Sequence, residues 1–173
     1  MSINHLSKTE PKWFAIYTNF KREKVVLSAL EEKGIEAYLP LQKTVRIYKS
    51  RKKKVELPLL TCYVFVRITE KEYISVLETS NVLNFVKIGC DLFSIPDEEI
   101  DLLRHVTGEE GYVLQRVEGF PQAGDRVEII AGALRGTKGT LISAEGQKRF
   151  VLRLENLDQY LSIKIDPDFL LKI

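Results

Sequence analysis

Residues 62–68 read C-Y-V-F-V-R-I, and this stretch decides how the first half of the chain folds. Its aromatic and β-branched residues are typical of a strand. Because side chains alternate across a strand, Tyr63 and Phe65 point to one face, and Val64 and Val66 point to the other. We expect helices to cover the valines, which leaves the two rings on an open face, where an apolar cluster usually marks a partner site. The alternative is that the rings are core residues and the valines face outward.

The sequence around this strand predicts an α+β sandwich with helices on one face of the sheet, because strands alternate with helices and are joined partly by a hairpin. Trp13 to Thr18 forms another strand, and Asn19 can cap a helix from about Phe20 to Lys33 that Gly34 ends. The further predicted elements are an extended segment over Ala37 to Leu41, hairpin arms over Gln42 to Tyr48 and Lys52 to Leu57, a helix to about Glu78 after the capping box Thr69-x-x-Glu72, a strand over Val82 to Ile88, and a helix from Asp97 to about Val106.

The composition and periodicity of the sequence change after residue 107. Residues 108–122 hold three glycines, one proline and no strong period, so we interpret them as a linker between domains over residues 1–107 and 123–173. Short strand-like runs separated by turns then predict a small β-barrel. These runs are Val127 to Ile130, Gly139 to Ser143, Phe150 to Leu154, Leu161 to Ile165 and Phe169 to Lys172.

The composition is that of a soluble, cytoplasmic protein. Hydrophobic residues make up 45% of the chain and charged residues 29%, enough apolar side chains for a core. No signal peptide is recognisable before Trp13, and the most apolar run, Leu57 to Val66, is too short to span a bilayer. No membrane association is therefore expected.

The sequence offers little for catalysis or metal binding. Cys62 and Cys90 form no C-x-x-C pair, and we interpret both as small buried hydrophobic residues rather than a disulfide or metal pair. With only two histidines, His5 and His105, a zinc site is not expected. No Walker-type loop, G-x-S-x-G elbow or H-E-x-x-H motif is present. We expect no cofactor, no metal and no enzymatic activity.

Positive charge is concentrated in one segment, although the net charge is only +2. Lys43 to Lys54 contains seven basic residues and no acidic one. One interpretation is a solvated hairpin tip, and the other is a surface that neutralises phosphates without reading bases. The candidate nucleic-acid-binding residues are Arg46, Lys49, Arg51, Lys52, Lys53 and Lys54, with Lys21, Arg22 and Lys24 at the helix start as weaker ones.

Glycines are regularly placed in the second half. Residues 124–129 read G-D-R-V-E-I, residues 132–136 read G-A-L-R-G, and residues 138–141 read K-G-T-L. Gly124, Gly132, Gly136 and Gly139 stand where a small barrel turns its corners, and glycine adopts positive φ without a Cβ clash. The pattern resembles the KOW motif, which implies an SH3-like β-barrel that docks protein or RNA. The alternative is a generic barrel with coincidental glycines.

Motifs of the first half resemble the amino-terminal domain of the NusG family. Residues 13–17 read W-F-A-I-Y and precede a helix, Tyr38-x-Pro40 follows, and residues 58–66 read P-L-L-T-C-Y-V-F-V. The family shows W-Y, a helix, F-L-P and P-L-F-P-G-Y-V-F-V. The sequence departs from this pattern at residues 60–62, where L-T-C replaces F-P-G before Tyr63. The two resemblances occur in the family's order and cover nearly the whole chain from Trp13.

The NusG resemblance implies binding to the clamp helices of RNA polymerase through an apolar patch on the open sheet face. The matching residues are Ala15, Tyr17, Tyr63 and Phe65. The expected protein is a monomeric transcription elongation or antitermination factor that contacts polymerase and the nucleic acid of the elongation complex.

The KOW resemblance implies a second partner. In the family, residues at the tip of this barrel engage a ribosomal protein or the termination factor Rho. Leu134 and Leu157 stand at the matching positions. The alternative is that both are ordinary loop leucines.

The chain length and the P-L-L-T-C-Y-V-F-V run are similar to the specialised NusG paralogues called UpxY-like antiterminators, which act on surface (capsular) polysaccharide operons. A housekeeping NusG elongation factor is the first alternative. The second is a ribosome-associated RNA-binding KOW protein, although its usual basicity is absent at a net charge of +2. An enzyme of unrecognised type is the third, and no constellation of residues supports it.

Overall fold

The computed structural model describes residues 4–108, 114–117, 124–144, 147–154, 157 and 159–173. Its sheets are antiparallel and its helices few, which confirms the predicted α+β class. The helices are α1 (Glu23–Glu32), α2 (Tyr73–Leu77) and α3 (Asp97–Gly108). The strands are β1 (Lys12–Thr18), β2 (Glu36–Tyr38), β3 (Leu41–Tyr48), β4 (Arg51–Pro58), β5 (Tyr63–Ile68), β6 (Val82–Phe85), β7 (Leu114–Val117), β8 (Asp125–Ile129), β9 (Lys138–Ala144), β10 (Gln147–Leu154), β11 (Gln159–Ile163) and β12 (Leu170–Lys172).

The chain forms two compact units, Met1–Ile100 and Asp101–Ile173, and the division falls inside α3. Most of the expected linker, residues 109–113 and 118–122, lies outside the described residues. The domain boundaries at 107/108 and 122/123 therefore stay predictions. In the described part of the chain, each helix is too short or too polar to cross a bilayer.

The first unit is built on a sheet with strand order β2-β5-β1-β6. Val64 and Val66 of β5 are fully buried in one core with Val26 and Leu30 of α1. Because paired residues of antiparallel strands share a face, Ile16, opposite Val64, belongs to the same core. The prediction that helices cover the valine face is confirmed.

Helix α1 begins three residues later than the sequence suggested. Lys21 has a φ of +59°, which a right-handed helix cannot include, so the helix starts at Glu23 rather than Phe20. Asn19 does not cap it. Its backbone N–H donates to the Asn81 carbonyl at 3.0 Å, and its side-chain amide donates to Asn81 Oδ1 at 3.3 Å. The helix ends as predicted, before Gly34 with a φ of +72°.

The capping box before α2 is confirmed. Glu72 Oε2 accepts hydrogen bonds from both the backbone N–H and the hydroxyl of Thr69, each at 2.7 Å. Strand β6 is shorter than expected and ends at Phe85, and the chain turns further on, where Ile88 bridges to Asp91. The interpretation of both cysteines as buried is wrong, since Cys90 is exposed and Cys62 half-buried, each in a turn.

The second unit contains a sheet with strand order β12-β8-β9-β10-β11-β7. Strands β8 to β12 correspond to the strand-like runs in the sequence, but β7 falls within the range expected to be a linker. It pairs with β11 from Leu114 opposite Ile163 to Val117 opposite Tyr160. A four-residue strand held by backbone hydrogen bonds carries too short a side-chain pattern to be recognised in the sequence.

The four glycines singled out in this unit serve two different purposes. Gly132 and Gly136 have φ values of +79° and +88°, as expected for turns. Gly124 and Gly139 do not need positive φ. Instead, a Cβ on Gly139 would overlap the Phe150 ring and the Val151 carbonyl oxygen, and one on Gly124 would lie 2.5 Å from the Leu141 carbonyl oxygen. These two positions are glycine because strands and side chains approach them closely.

Replacing Gly139 by alanine is therefore expected to destabilise the second unit. The added methyl group must displace the buried Phe150 ring or the neighbouring strand, at about 1–3 kcal/mol for an overpacked core. Gly108→Ala is the matched control, because its Cβ would meet nothing within 4 Å. Urea denaturation of both variants measures the difference, and equal free energies of unfolding would contradict the packing argument.

Candidate functional site

Four residues predicted to bind a partner lie side by side on the sheet face opposite the valines. Ala15 pairs with Phe65, and Tyr17 pairs with Tyr63, so all four side chains share that face. The rings of Tyr17 and Tyr63 are 5.0 Å apart, and their hydroxyl oxygens are 3.5 Å apart. The Tyr38 ring from β2 lies 6.1 Å from Phe65. We call Ala15, Tyr17, Tyr63 and Phe65 the aromatic face.

The aromatic face is not open, contrary to the sequence-based expectation. Phe65 is 0% exposed, Ala15 3% and Tyr63 7%, and only Tyr17 remains accessible at 37%. Strand alternation determines which side chains share a face, but not whether anything covers that face. Both faces of β5 are buried in this structure, and Tyr17 is the exposed edge of the aromatic face.

A strained turn leads into the aromatic face from β4. Cys62 has a φ of +66°, unusual for a residue with a side chain. Its backbone N–H donates to Oε1 of Glu23 at 2.8 Å, and its carbonyl accepts from the backbone N–H of Thr18 at 3.0 Å. Glu23 is only 3% exposed and stands at the first position of α1, where a carboxylate opposes the positive end of the helix. One buried carboxylate thus fastens the start of β5 to the start of α1.

The basic residues at the start of α1 have different surroundings. Lys21 and Arg22 are exposed, and the ammonium of Lys21 lies 5.1 Å from the centre of the Phe20 ring. Lys24 instead donates from Nζ to the backbone carbonyl of Glu56 at 2.8 Å. Lys24 therefore ties α1 to the hairpin, whereas Lys21 and Arg22 present their charge to solvent.

The basic segment forms the β3–β4 hairpin, as predicted. The two strands pair from Leu41 opposite Pro58 to Tyr48 opposite Arg51, and Lys49 and Ser50 make the connecting turn. Lys49 has a φ of +48°, a conformation that glycine adopts without strain. The backbone conformation of this turn therefore does not account for a lysine at this position.

The pairing register sorts the exposed side chains of the hairpin onto two faces. Directly opposed residues point to the same side of an antiparallel pair. The arginine face consists of Arg46, Tyr48, Arg51 and Lys53, because Arg46 opposes Lys53 and Tyr48 opposes Arg51. The isoleucine face is the outer half of the other side, Val45, Ile47, Lys52 and Lys54, and the exposed pair of Lys43 and Glu56 lies next to it towards the base. Both faces are exposed in the outer half of the hairpin.

The two leucines predicted at the barrel tip are buried. Leu134 is 2% exposed and Leu157 6%, so neither forms an accessible contact surface in this conformation. Leu134 lies in a turn closed by a hydrogen bond from the Thr137 N–H to the Leu134 carbonyl at 3.1 Å. Among the residues that the structure describes, no group of three or more His, Cys, Asp and Glu side chains is placed to hold a metal ion.

Comparison with known protein families finds a match for the chain. The family model described as transcription termination factor nusG matches residues 11–104, more than half of the chain. The chain belongs to the NusG family. NusG proteins are transcription factors rather than enzymes, so the prediction that the chain is not an enzyme is confirmed by its family. No curated protein sequence matches the chain.

One solved structure shows a similar fold, and a second matches at a low TM-score. The structure describing domain interaction in Thermotoga maritima NusG has a TM-score of 0.58 and 21% sequence identity, covering 96% of this chain and 99% of that one. Conformation A of the MjSpt4:Spt5 complex matches at a TM-score of 0.32 and 20% identity, covering 93% of this chain and 97% of that one. At 21% identity, the likeness to the Thermotoga maritima structure concerns the fold alone.

The NusG pattern also explains the strained turn. In the motif that residues 58–66 resemble, glycine stands at the position of Cys62, and the turn here keeps the positive φ that suits glycine. The residue that secures this turn, Glu23, was missed in the sequence. A glutamate in the first turn of a helix is ordinary, and only the fold shows that its side chain is buried against the Cys62 N–H.

Cys62→Gly is expected to stabilise the first unit. A left-handed conformation costs a residue with a Cβ about 1–2 kcal/mol, and the greater freedom of glycine in the unfolded chain offsets about half of that. The net gain should reach up to about 1 kcal/mol in a denaturation curve. Cys62→Ala is the matched control, because it removes the thiol but keeps the Cβ. If alanine stabilises as much as glycine, backbone strain is not the cause.

Proposed function

We propose that this NusG-family protein is an elongation factor that suppresses pausing or termination by binding the clamp helices of RNA polymerase through the aromatic face. The observation that supports this most is the adjacency of Ala15, Tyr17, Tyr63 and Phe65 on one sheet face. Aromatic side chains are enriched at protein interfaces and supply much of their binding energy. Because Phe65 and Tyr63 are buried here, use of this face requires that both rings become accessible.

The basic hairpin supplies the second contact, with nucleic acid of the elongation complex. Seven positive charges lie between Lys43 and Lys54 with no acidic residue in that segment, and Glu56 stands opposite only the innermost of them, Lys43. Arg46 stands directly opposite Lys53, and like charges in that arrangement weaken a strand pair. Phosphates near the hairpin would remove this repulsion and release condensed counterions, a source of affinity that does not depend on base sequence. Lys21 and Arg22 add exposed positive charge just before the start of α1.

The second unit is, in this proposal, a KOW barrel that recruits another protein, either a ribosomal protein or Rho. Its support is the glycine pattern, with positive φ at Gly132 and Gly136 and close approach at Gly124 and Gly139. Leu134 and Leu157 would contact the partner. Since both are buried, that contact requires a conformation in which they are exposed.

The proposed mechanism is a shift of a conformational equilibrium. A factor that binds the closed polymerase clamp more tightly than the opened clamp of a paused complex favours elongation by that difference in affinity. We place the protein among the specialised UpxY-type antiterminators of surface polysaccharide operons, on the resemblance of residues 58–66. Transcription of a polysaccharide-operon leader and of an unrelated terminator separates this role from that of a housekeeping factor, which would act on both templates.

Tyr17→Ala should weaken binding to isolated clamp helices by about 1–3 kcal/mol, as truncation of an aromatic interface residue does. Tyr17 is the accessible member of the aromatic face. Phe65→Ala is unsuitable, because emptying a fully buried phenylalanine site costs about 3–5 kcal/mol of folding free energy. Ile74→Ala, an exposed apolar residue on α2, is the control and should bind as wild type in a titration calorimetry experiment. Undiminished binding by Tyr17→Ala counts against the aromatic face.

Replacement of Arg51, Lys52, Lys53 and Lys54 by serine should flatten the salt dependence of binding to a polymerase elongation complex. The slope of log affinity against log salt concentration should fall by roughly one for each phosphate that the hairpin no longer neutralises. Folding should change little, because exposed substitutions usually stay within about 0.5 kcal/mol.

Two controls make this test specific. Serine at Lys8, Lys71 and Lys87 removes exposed charge elsewhere and should keep the wild-type slope. Isolated clamp helices, which carry no nucleic acid, should bind the hairpin variant normally. Equal loss of affinity for the helices and for the elongation complex would show that the hairpin contacts protein.

A further inference from the structure

We propose that the arginine face of the hairpin binds unpaired nucleotides, with the Tyr48 ring as the stacking surface for a base. This inference rests on the proposed nucleic-acid role of the hairpin and adds to it the form of nucleic acid and the side of the hairpin that binds it. The argument begins with exposure. Tyr48 is 53% exposed near the hairpin tip, with its ring accessible to solvent.

The same face becomes more accessible towards the tip. Its inner residues, Gln42, Thr44, Val55 and Leu57, are half-buried, whereas Arg46, Tyr48, Arg51 and Lys53 are all exposed. The outer half of this face is therefore the part that a ligand can reach. Three of its four side chains are cationic and the fourth is aromatic.

The placement of these side chains matches the chemistry of a single strand. Arg51 is directly opposite Tyr48, and Arg46 and Lys53 form the next pair on the same face. Proteins bind single strands by stacking bases on aromatic rings while cations neutralise the adjacent phosphates. In a duplex the bases are stacked on one another, so Tyr48 could not take one without unpairing it. The arginine face thus favours single strands over duplex.

The isoleucine face provides an internal comparison. Val45 and Ile47 are exposed there, next to Lys52 and Lys54. These lysines can neutralise phosphates of either form of nucleic acid, but the aliphatic side chains offer no π-face for a base. Selectivity for unpaired nucleotides therefore belongs to one face of the hairpin, whereas general electrostatic attraction belongs to both.

The test measures binding of the full-length protein to a labelled single-stranded oligonucleotide of about twelve nucleotides and mixed sequence, and to the corresponding duplex, by fluorescence anisotropy. This length lies within the usual range of site sizes for single-strand binders. Tyr48→Leu should weaken single-strand binding by about five- to a hundredfold, the loss of one stacked base, and duplex binding by less than about twofold. Tyr48→Trp should retain the affinity for the single strand.

Ile47→Ala is the matched control, an exposed neighbour on the opposite face, and it should bind both probes as wild type. The inference is overturned if Tyr48→Leu binds the single strand as tightly as wild type does. It is also overturned if this variant loses affinity equally for the single strand and the duplex. A hairpin disturbed by the substitution is recognised by a melting curve, and Tyr48→Trp then decides whether an aromatic ring suffices.

The serine variant of Arg51, Lys52, Lys53 and Lys54 distinguishes failure of this inference from failure of the proposed nucleic-acid contact on which it rests. If that variant loses affinity for both probes while Tyr48→Leu keeps its affinity for both, the hairpin binds nucleic acid without stacking, and only the inference fails. If the serine variant keeps wild-type affinity for both probes, the proposed nucleic-acid contact fails as well.

Discussion

The pairing of β1 with β5 is the constraint on which the first unit depends. Each strand has side chains that must be buried on both sides, so the register decides which ones meet α1 and which form the aromatic face. Ile16 is opposite Val64, so these two side chains lie beneath the helix. Ala15 is opposite Phe65, and both lie on the other face of the sheet. A slip of one residue would turn the rings of Tyr63 and Phe65 into the helix-covered core and drive the valines out. The hydrogen bond from the Cys62 N–H to Glu23 holds the start of β5, next to the pair of Tyr63 and Tyr17.

Much of this could be predicted from the sequence, because it depends on local periodicity. Alternation along residues 63–66 placed the valines beneath the helices, and the register puts the two rings together with Ala15 and Tyr17 on the other face. The capping box at Thr69 and the hairpin around Lys49 are local patterns too, and both formed as expected. The family match over residues 11–104 agrees with the resemblance read from the motifs in the same part of the chain.

What the sequence could not show depends on packing between distant segments. Burial of Phe65, Leu134 and Leu157 requires covering atoms that no local pattern encodes. The late start of α1 follows from the left-handed conformation of Lys21, a residue type that seldom adopts it. Glu23 looked like an ordinary residue at a helix start, and its contact is with a backbone N–H 39 positions away. The two faces of the hairpin likewise needed the register, since composition alone gives one undivided basic segment.

The hairpin has a mechanical consequence. Eight paired residues at about 3.4 Å each extend its tip roughly 27 Å from its base, and no third strand flanks it in the described sheets. A ribbon of two strands gains length without stiffness, because it lacks the packed face that makes larger sheets rigid. In the elongation complex that we propose, this lets the tip follow a nucleic-acid strand that shifts by one nucleotide as polymerase advances, while the sheet at the base of the hairpin keeps a fixed position.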